Sequence, residues 1–493
     1  MARAGSPQVG GTGFGWLTMV FSSVVFLFYF LPLVVALYLV APARLRNPVL
    51  LLSSLVFYVW GGGAQVVILF VSTIVDYIAG RLVDHGIRSN RSTARRFGLV
   101  LSLSVNIGLL AYFKYANFVV AEMNTLGDAL GVGTIAWTSV TLPIGISFFT
   151  FQSMSYTIDI HRGKVRHLDN PLDFALYVTL FPQLIAGPIV RFHELADEIR
   201  QRSLTSGDLA AGLVRFGHGL AKKVIIADSV APLADAAFAD TSDLSTGAAW
   251  LGALAYTVQI YFDFSGYSDM AIGLGRMFGF HFPENFARPY SSASITEFWR
   301  RWHISLSNWF RDYVYIPLGG SRRGPLRTSL NLAIVFLTTG IWHGANWTFI
   351  LWGIYHGALL AGERVLGLRG LDQERTPWLR RLVTLVLVVF GWVLFRASSV
   401  GSALEVMEAM VTPTSGVLPG PMLDAWTTKS TIALLAGLLT AVLPPMVVAG
   451  PYLSDGAGRR ADIARLVLVV GALPYALVLV LAGTFSPFLY FQF

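Results

Sequence analysis

The sequence predicts an all-α, polytopic integral membrane protein of about 11–12 transmembrane or re-entrant helices around a central tunnel, with amphipathic helices at the interface. Three observations lead there. Of 493 residues, 54% are hydrophobic and only 13% are charged, about half the charge of a soluble chain. Apolar stretches close to the roughly 20 residues needed to cross a bilayer recur along the chain. Several contain proline and glycine, and such interrupted helices persist at membrane depth only where protein or a water-filled cavity satisfies the freed backbone groups. That last feature is what predicts a tunnel.

Residues 1–18 are rich in glycine and small side chains and have no apolar periodicity, so they predict a disordered tail. Met19, opening the string MVFSS, is the expected functional start. The apolar run from Thr18 to Val40 is too long for a signal-peptide core and has no small-residue cleavage site after it, so it reads as a retained first span. The spans that follow are 47–60, 64–80, 98–119, 138–160, 173–190, 247–277, 328–350, 351–366, 379–397, 430–450 and 463–484. Pro143 and Gly145 interrupt the fifth of the full set, Pro182 and Gly187 the sixth, and Pro444 with Pro445 the eleventh. The membrane domain thus runs over 19–485, followed by an aromatic tail, 486–493. No fixed-period repeat is visible, which excludes a solenoid.

The chain has no cysteine, so disulfides, thiolate metal sites and cysteine nucleophiles are excluded. Its net charge of +8 does not point to nucleic acid. Arg81, Arg88, Arg91, Arg95 and Arg96 fall in one short loop, as expected of a cytoplasmic loop beside anionic membrane lipid. Between the sixth and seventh spans, Leu209, Leu213, Phe216 and Leu220 share helical spacing and end at Lys222 and Lys223. This predicts an interfacial helix, the alternative being one buried against other spans.

Three segments carry candidate chemistry. In WRRWHISLSNWFRDY, residues 299–313, a single helix would set Trp299, Trp302, Leu306, Trp309, Phe310 and Tyr313 on one face and Arg300, Arg301, Asn308, Arg311 and Asp312 on the other. His303 lies at the aromatic edge and points inward, either as a working imidazole or as a packed one. The following IPLGGSRRG carries Arg322 and Arg323, which suit the phosphates of a nucleotide-bearing acyl donor or simply a positive-inside loop. In GIWHGANWTFILWGIYHG, residues 340–357, His343 is an ionisable group within an apolar span, beside Trp342 and Trp347. Such a group is by default a functional hypothesis. A neutral buried imidazole can accept a proton from an attacking hydroxyl. His356 is the better candidate for an interhelical hydrogen bond. Finally, YFDFSGYSDMAIG, residues 261–273, places Asp263, Ser265, Tyr267, Ser268 and Asp269 in an apolar span, where carboxylates line a cavity or pair with arginines.

These strings, with SFFTFQSMSYTIDIHRG, FPQLIAGPIVR and the terminal SPFLYFQF, resemble the membrane-bound O-acyltransferase family over nearly the whole chain from Met19. The resemblance is greatest to the bacterial alginate-acetylating branch and more distant to the teichoic-acid D-alanylating branch. It implies a ring of helices around a thin centre in the inner, cytoplasmic membrane, with a cytoplasmic funnel for acetyl-CoA and no permanently bound cofactor or metal. It implies an extracytoplasmic polysaccharide acceptor and a hydrolase-like extracytoplasmic partner. The family's histidine matches His343 and its second motif position matches His303. By analogy with an aromatic motif in the D-alanylating systems, Tyr490 would carry the acyl group. Asp263, Ser265, Tyr267, Asp269, Asp312, Arg322, Arg323 and Trp347 are the candidates for tunnel lining or donor binding. The competing reading is a secondary transporter or polysaccharide export channel, which leaves His343 and the aromatic terminus unexplained.

Overall fold

The computed structural model describes residues 19–368, 377–442, 448–483 and 488–489; Tyr490 and the tail 1–18 lie outside them. Among the described residues the regular structure is helical throughout, with no strand. After a π-turn at Phe26–Phe30 come α1 (Leu31–Val40), α2 (Ala43–Gly62), α3 (Val66–Arg88), α4 (Ser92–Leu110) and α5 (Ala116–Leu130), then α6 (Ile146–His161), α7 (Pro171–Thr179), α8 (Phe181–Leu184) and α9 (Phe192–Arg200). Next are α10 (Ser206–Ala221), α11 (Asp228–Ala239), α12 (Thr246–Met277), α13 (Ile295–Arg301), α14 (Ile304–Phe310), α15 (Pro325–His343) and α16 (Trp347–Val365). The chain closes with α17 (Pro377–Arg396), α18 (Val400–Val411), α19 (Gly420–Ala425), α20 (Thr428–Val442), α21 (Ala449–Asp455), α22 (Arg459–Val467) and α23 (Leu473–Leu481). It is a polytopic all-α membrane protein, as the sequence predicts.

Among the described residues, length and composition alone single out four stretches able to cross a membrane: Ala43–Arg88, Ser92–Leu130, Trp378–Arg396 and Arg459–Leu481. Their outward faces are apolar, as Leu52, Val67, Ile74, Val100, Leu382 and Val470 show. α15, α16 and α20 also expose apolar residues, such as Leu330, Ile354 and Leu435. α12 has 32 residues, and almost all of those from Ala248 to Gly275 are buried, so it forms the central post. Basic residues gather at one end of the bundle and are knitted together there. Arg95 donates to the His161 carbonyl, Arg162 to that of Asp312, Arg200 to that of Arg166, and Arg202 to that of Phe278. This is the basic face, the side the positive-inside rule assigns to the cytoplasm. The opposite face holds Gln65, the extended segment before α6, and the loops around Thr246 and Thr414. At about 1.5 Å per residue, the 39-residue helix Ser92–Leu130 outruns a hydrocarbon core of about 30 Å.

Five sequence expectations need correction. The fifth span does not begin at 138: helix α6 starts only at Ile146, because Pro143 lacks an N–H and Gly145 takes a left-handed φ of +74°. A Cβ on Gly145 would meet the Leu184 carbonyl at 2.6 Å. The sixth span, 173–190, is not one helix. It breaks after Thr179 and again after Leu184, and its irregular backbone is buried in protein, the condition for tolerating it at depth. The helix at 299–313 is broken at Trp302–His303, where His303 adopts φ +45°. The segment at Asn285–Ala287 docks into the break: Ile304 N–H donates to the Asn285 carbonyl and Ala287 N–H to that of Arg301. The two faces survive nevertheless, since all six stripe residues are buried and Arg300 and Arg311 are exposed.

The helix bearing Leu209 and Phe216 does not lie on the membrane surface. α10 is pressed against α12, where virtual Cβ atoms on Gly212 and Gly219 would fall 2.7 Å and 2.4 Å from the carbonyls of Gly273 and Gly266. Small residues that permit backbone approach decide helix packing inside a bilayer, and here they outweigh the amphipathic pattern. The eighth and ninth spans divide at Gly344–Asn346 rather than at 350, because Asn346 caps α16 by accepting the Thr348 N–H. His343 is therefore the last residue of a helix instead of lying mid-span.

Candidate active site

α15 and α16 meet along a glycine seam that brings His343 into the interior. A Cβ on Gly340 would lie 2.4 Å from the Phe349 carbonyl, and one on Gly353 2.4 Å from that of Phe336. Gly344 faces the Phe349 ring, so the glycines around the histidine serve helix approach. His343 is 5% exposed, and its ring sits 4.9 Å from Trp342, 5.0 Å from Trp352 and 5.0 Å from Phe395 by centroid, steeply inclined to each. Trp342 in turn packs on Phe151 at 5.3 Å and on Phe148 at 5.9 Å.

His303 lies 6.3 Å from the same Trp342 ring and meets Phe264 edge-on at 4.7 Å. Its Nδ1 is 3.1 Å from Asn285 Oδ1. Asn285 Nδ2 donates to Ser268 Oγ at 3.0 Å, which orients the amide with its oxygen toward the histidine. The network therefore assigns the proton to Nδ1 and leaves the Nε2 lone pair as acceptor. Ser305 Oγ–H also donates to Asn285 Oδ1, at 2.9 Å, tying His303 to the break that displays it. The structure thus brings the two histidines together around one tryptophan. His356 accepts from Trp299 Nε1–H at 3.3 Å, joining α13 to α16.

Two cavities approach this layer. On the side of the opposite face, a cavity of about 90 Å³ is lined by Lys114, the 142–148 segment, Ile185, Trp342 and His343. Between α13–α14, α15 and α16, a cavity of about 230 Å³ has Arg300 and Arg311 among its lining and Thr339 in its wall, one helical turn before His343. Asp312 lies at the basic face and pairs with Arg191 and Arg311. Partial burial works against its ionisation, but the Arg311 hydrogen bond and the charges of Arg311, Arg191 and Lys164 hold its carboxyl below the usual range. Arg322 and Arg323 are exposed in a turn whose glycines, Gly319, Gly320 and Gly324, all have positive φ. Trp347 is 50% exposed on the opposite face and donates its indole N–H to Glu122 at 3.1 Å.

The polar run on α12 forms a separate seam. Asp269 is shared by Arg215 Nε at 2.8 Å and Lys222 at 2.9 Å, and Arg215 also grips Glu284. Asp263 lies 3.2 Å from Lys223, which also binds Asp228 at 2.7 Å. Asp263 accepts the backbone N–H of Leu489 at 2.8 Å, and Tyr267 stacks on Phe488 at 4.3 Å and on Phe21 at 4.6 Å. Ser265 is buried on the same helix. Phe488 and Leu489 thus pack in the interior, with Phe488 next to Phe264 and hence near His303.

The chain matches the membrane-bound O-acyltransferase family, MBOAT, over residues 146–401, the stretch that contains both histidines. It belongs to that family. It is 51% identical over 393 residues to a probable alginate O-acetylase, AlgI, of Azotobacter vinelandii, covering 80% of this chain and 78% of the relative. It is 38% identical over 427 residues to a peptidoglycan O-acetyltransferase of Helicobacter pylori, covering 80% of each. A more distant relative, the teichoic acid D-alanyltransferase of Bacillus subtilis, is 30% identical over 44% of this chain and 58% of its own length. The protein is therefore a membrane-bound acyltransferase. Sequence reasoning missed Lys114 and Asn285. Lys114 was within reach, because a lone lysine in IGLLAYFKYANFVV meets the same criterion that singled out His343.

Proposed function

We propose that this acyltransferase resides in the inner membrane and takes acetyl from cytoplasmic acetyl-CoA at its basic face for O-acetylation of an extracytoplasmic polysaccharide. The observation that carries the reading is a pair of cavities, one with arginines in its lining and Thr339, a helical turn before His343, in its wall, and one on the opposite face lined by Trp342 and His343 themselves. Arginine at the first suits a phosphate-bearing donor. The named relatives act on alginate and on peptidoglycan, and both names point to a polysaccharide acceptor. In this scheme His343 takes the proton of the attacking hydroxyl, and His303 positions or polarises the thioester.

Acetyl-CoA is too polar to cross, so the acyl group needs a carrier reaching in from the far side. Tyr490 fills that role in this reading, delivering acetyl to a hydrolase-like extracytoplasmic partner. Support comes from the residues just before it, Phe488 and Leu489, which are buried at 1% and 5% exposure against Tyr267 and Asp263. The test is acetyl transfer in sealed vesicles of known orientation, with acetyl-CoA supplied on one side only. Transfer is expected when the donor contacts the basic face, and Tyr490→Phe, which keeps the ring, is expected to lose acetylation of the polymer. Transfer from the opposite side, or full polymer acetylation by Tyr490→Phe, contradicts the scheme.

A further inference from the structure

Lys114 is a half-buried lysine on a membrane-spanning helix, and its polar partners carry no full negative charge. It sits in a π-turn, Ala111–Tyr115, that interrupts the long helix α4–α5. Such turns re-aim side chains and are frequent at functional sites. The turn aims Lys114 at the C-terminal end of α15. There its Nζ donates to the Trp342 carbonyl at 2.5 Å and to Ser147 Oγ at 3.4 Å, and lies 5.8 Å from the Trp342 ring centroid. Among the described residues no carboxylate stands within ion-pair distance of it. The helix terminus offers only about half a negative charge, so the half-buried Lys114 has no full partner there. An ammonium has three N–H donors, of which protein groups take two.

The remaining donor has somewhere to point. Lys114 and His343 line the same cavity of about 90 Å³. A site for one water needs about 10–15 Å³ and a pocket for a drug-sized ligand about 300 Å³ or more. The cavity therefore has room for a group of a few heavy atoms, such as an acyl carbonyl. We infer that Lys114 forms an oxyanion site with this cavity and neutralises the negative charge that develops on the acyl oxygen during transfer at His343.

The inference rests on His343 acting in acyl transfer. The attacking hydroxyl oxygen bonds to the carbonyl carbon of the thioester and its proton passes to His343, while the carbonyl π pair moves onto oxygen beside the Lys114 ammonium. Collapse restores the carbonyl and breaks the carbon–sulfur bond, and the departing thiolate takes the proton from the imidazolium. Atoms and charge balance, and the products are the ester and the free thiol. Lys114 binds the charge without exchanging a proton.

The test compares Lys114→Met, Lys114→Arg and Tyr115→Phe in purified protein supplied with acetyl-CoA. Tyr115 caps the same helix end, its hydroxyl donating to the Ile341 and Gly344 carbonyls, but it carries no charge. Removing one oxyanion donor typically lowers kcat by about 100–1,000-fold, and that is the fall expected for Lys114→Met, with KM for acetyl-CoA and the thermal midpoint unchanged. Lys114→Arg should recover part of the rate and Tyr115→Phe should keep it. Wild-type kcat in Lys114→Met overturns the inference. So do equal losses of rate and midpoint in Lys114→Met and Tyr115→Phe, which would make Lys114 a helix cap. If His343→Ala stays active while Lys114→Met does not, the role given to His343 falls and the oxyanion site stands.

Discussion

Two regions of this protein bury ionisable side chains inside a membrane, and they do so in opposite ways. In the seam between α10 and α12, Arg215, Lys222 and Lys223 face Asp228, Asp263, Asp269 and Glu284 at ion-pair distances. Around Trp342, the histidines lean on aromatic rings and on the neutral amide of Asn285, and Lys114 on carbonyl and hydroxyl oxygens. The seam is closed by glycines that bring backbones into contact, while the Trp342 layer borders the cavity that Lys114 and His343 line. Intramembrane charge is therefore not in itself a sign of chemistry. Matched charges without space beside them hold helices together; a weakly compensated group beside a cavity is available to a substrate.

The comparison can be broken most readily at His343. His343→Ala should lower acetyl transfer by about a hundredfold to ten-thousandfold, the usual loss on removing a general base, with the protein still folded and monodisperse. A larger defect in His303→Ala than in His343→Ala would exchange their roles. Next in size is Asp269→Ala, which leaves Arg215 and Lys222 without their shared carboxylate and should cost about 3–5 kcal/mol of stability, read as a lowered thermal midpoint in detergent. Gly219→Ala places a methyl 2.4 Å from the Gly266 carbonyl and should cost about 1–3 kcal/mol by forcing α10 from α12. An unchanged midpoint would show that the seam is looser than described.

Two smaller effects sharpen the contrast. Asn285→Ala removes the acceptor that fixes His303 Nδ1–H and should slow transfer by about tenfold, since leaving a buried donor unsatisfied costs about 1–3 kcal/mol. Asp312→Asn should change stability by less than about 1 kcal/mol. Because the folded Asp312 carboxyl is held below its usual range, its contribution is fully present above the ordinary carboxylate pKa and is lost as pH falls through the lowered folded value. The wild-type and Asp312→Asn midpoints should therefore converge in acid, and a difference that grows toward low pH would reverse the sign of that interaction.

Much of this was legible in the sequence, and the rest was hidden for identifiable reasons. Charge depletion and apolar runs revealed the membrane class, and the single histidine in an apolar WHG string revealed His343. Aromatic spacing gave the buried face of residues 299–313 but not the break at His303, because the break is held by Asn285 and Ala287, at least 12 residues away in the chain. The amphipathic pattern of α10 suggested a surface helix because Gly212 and Gly219 look neutral in sequence and declare themselves only against Gly266 and Gly273. Asp263 and Asp269 stood out as ionisable, yet their pairing with Arg215, Lys222 and Lys223 depends on the register between two helices. Lys114 was overlooked because one lysine near the end of a span resembles a snorkelling residue until the π-turn aims it inward.

The most direct test of the central claim measures two variants side by side: acetyl transfer per folded molecule in a single turnover, and thermal midpoint, for His343→Ala and Asp269→Ala. The account predicts a crossing. His343→Ala should keep its midpoint and lose transfer, and Asp269→Ala should lose midpoint and keep transfer in the molecules that remain folded. Both variants losing rate without losing stability would place chemistry in the seam as well and contradict the division.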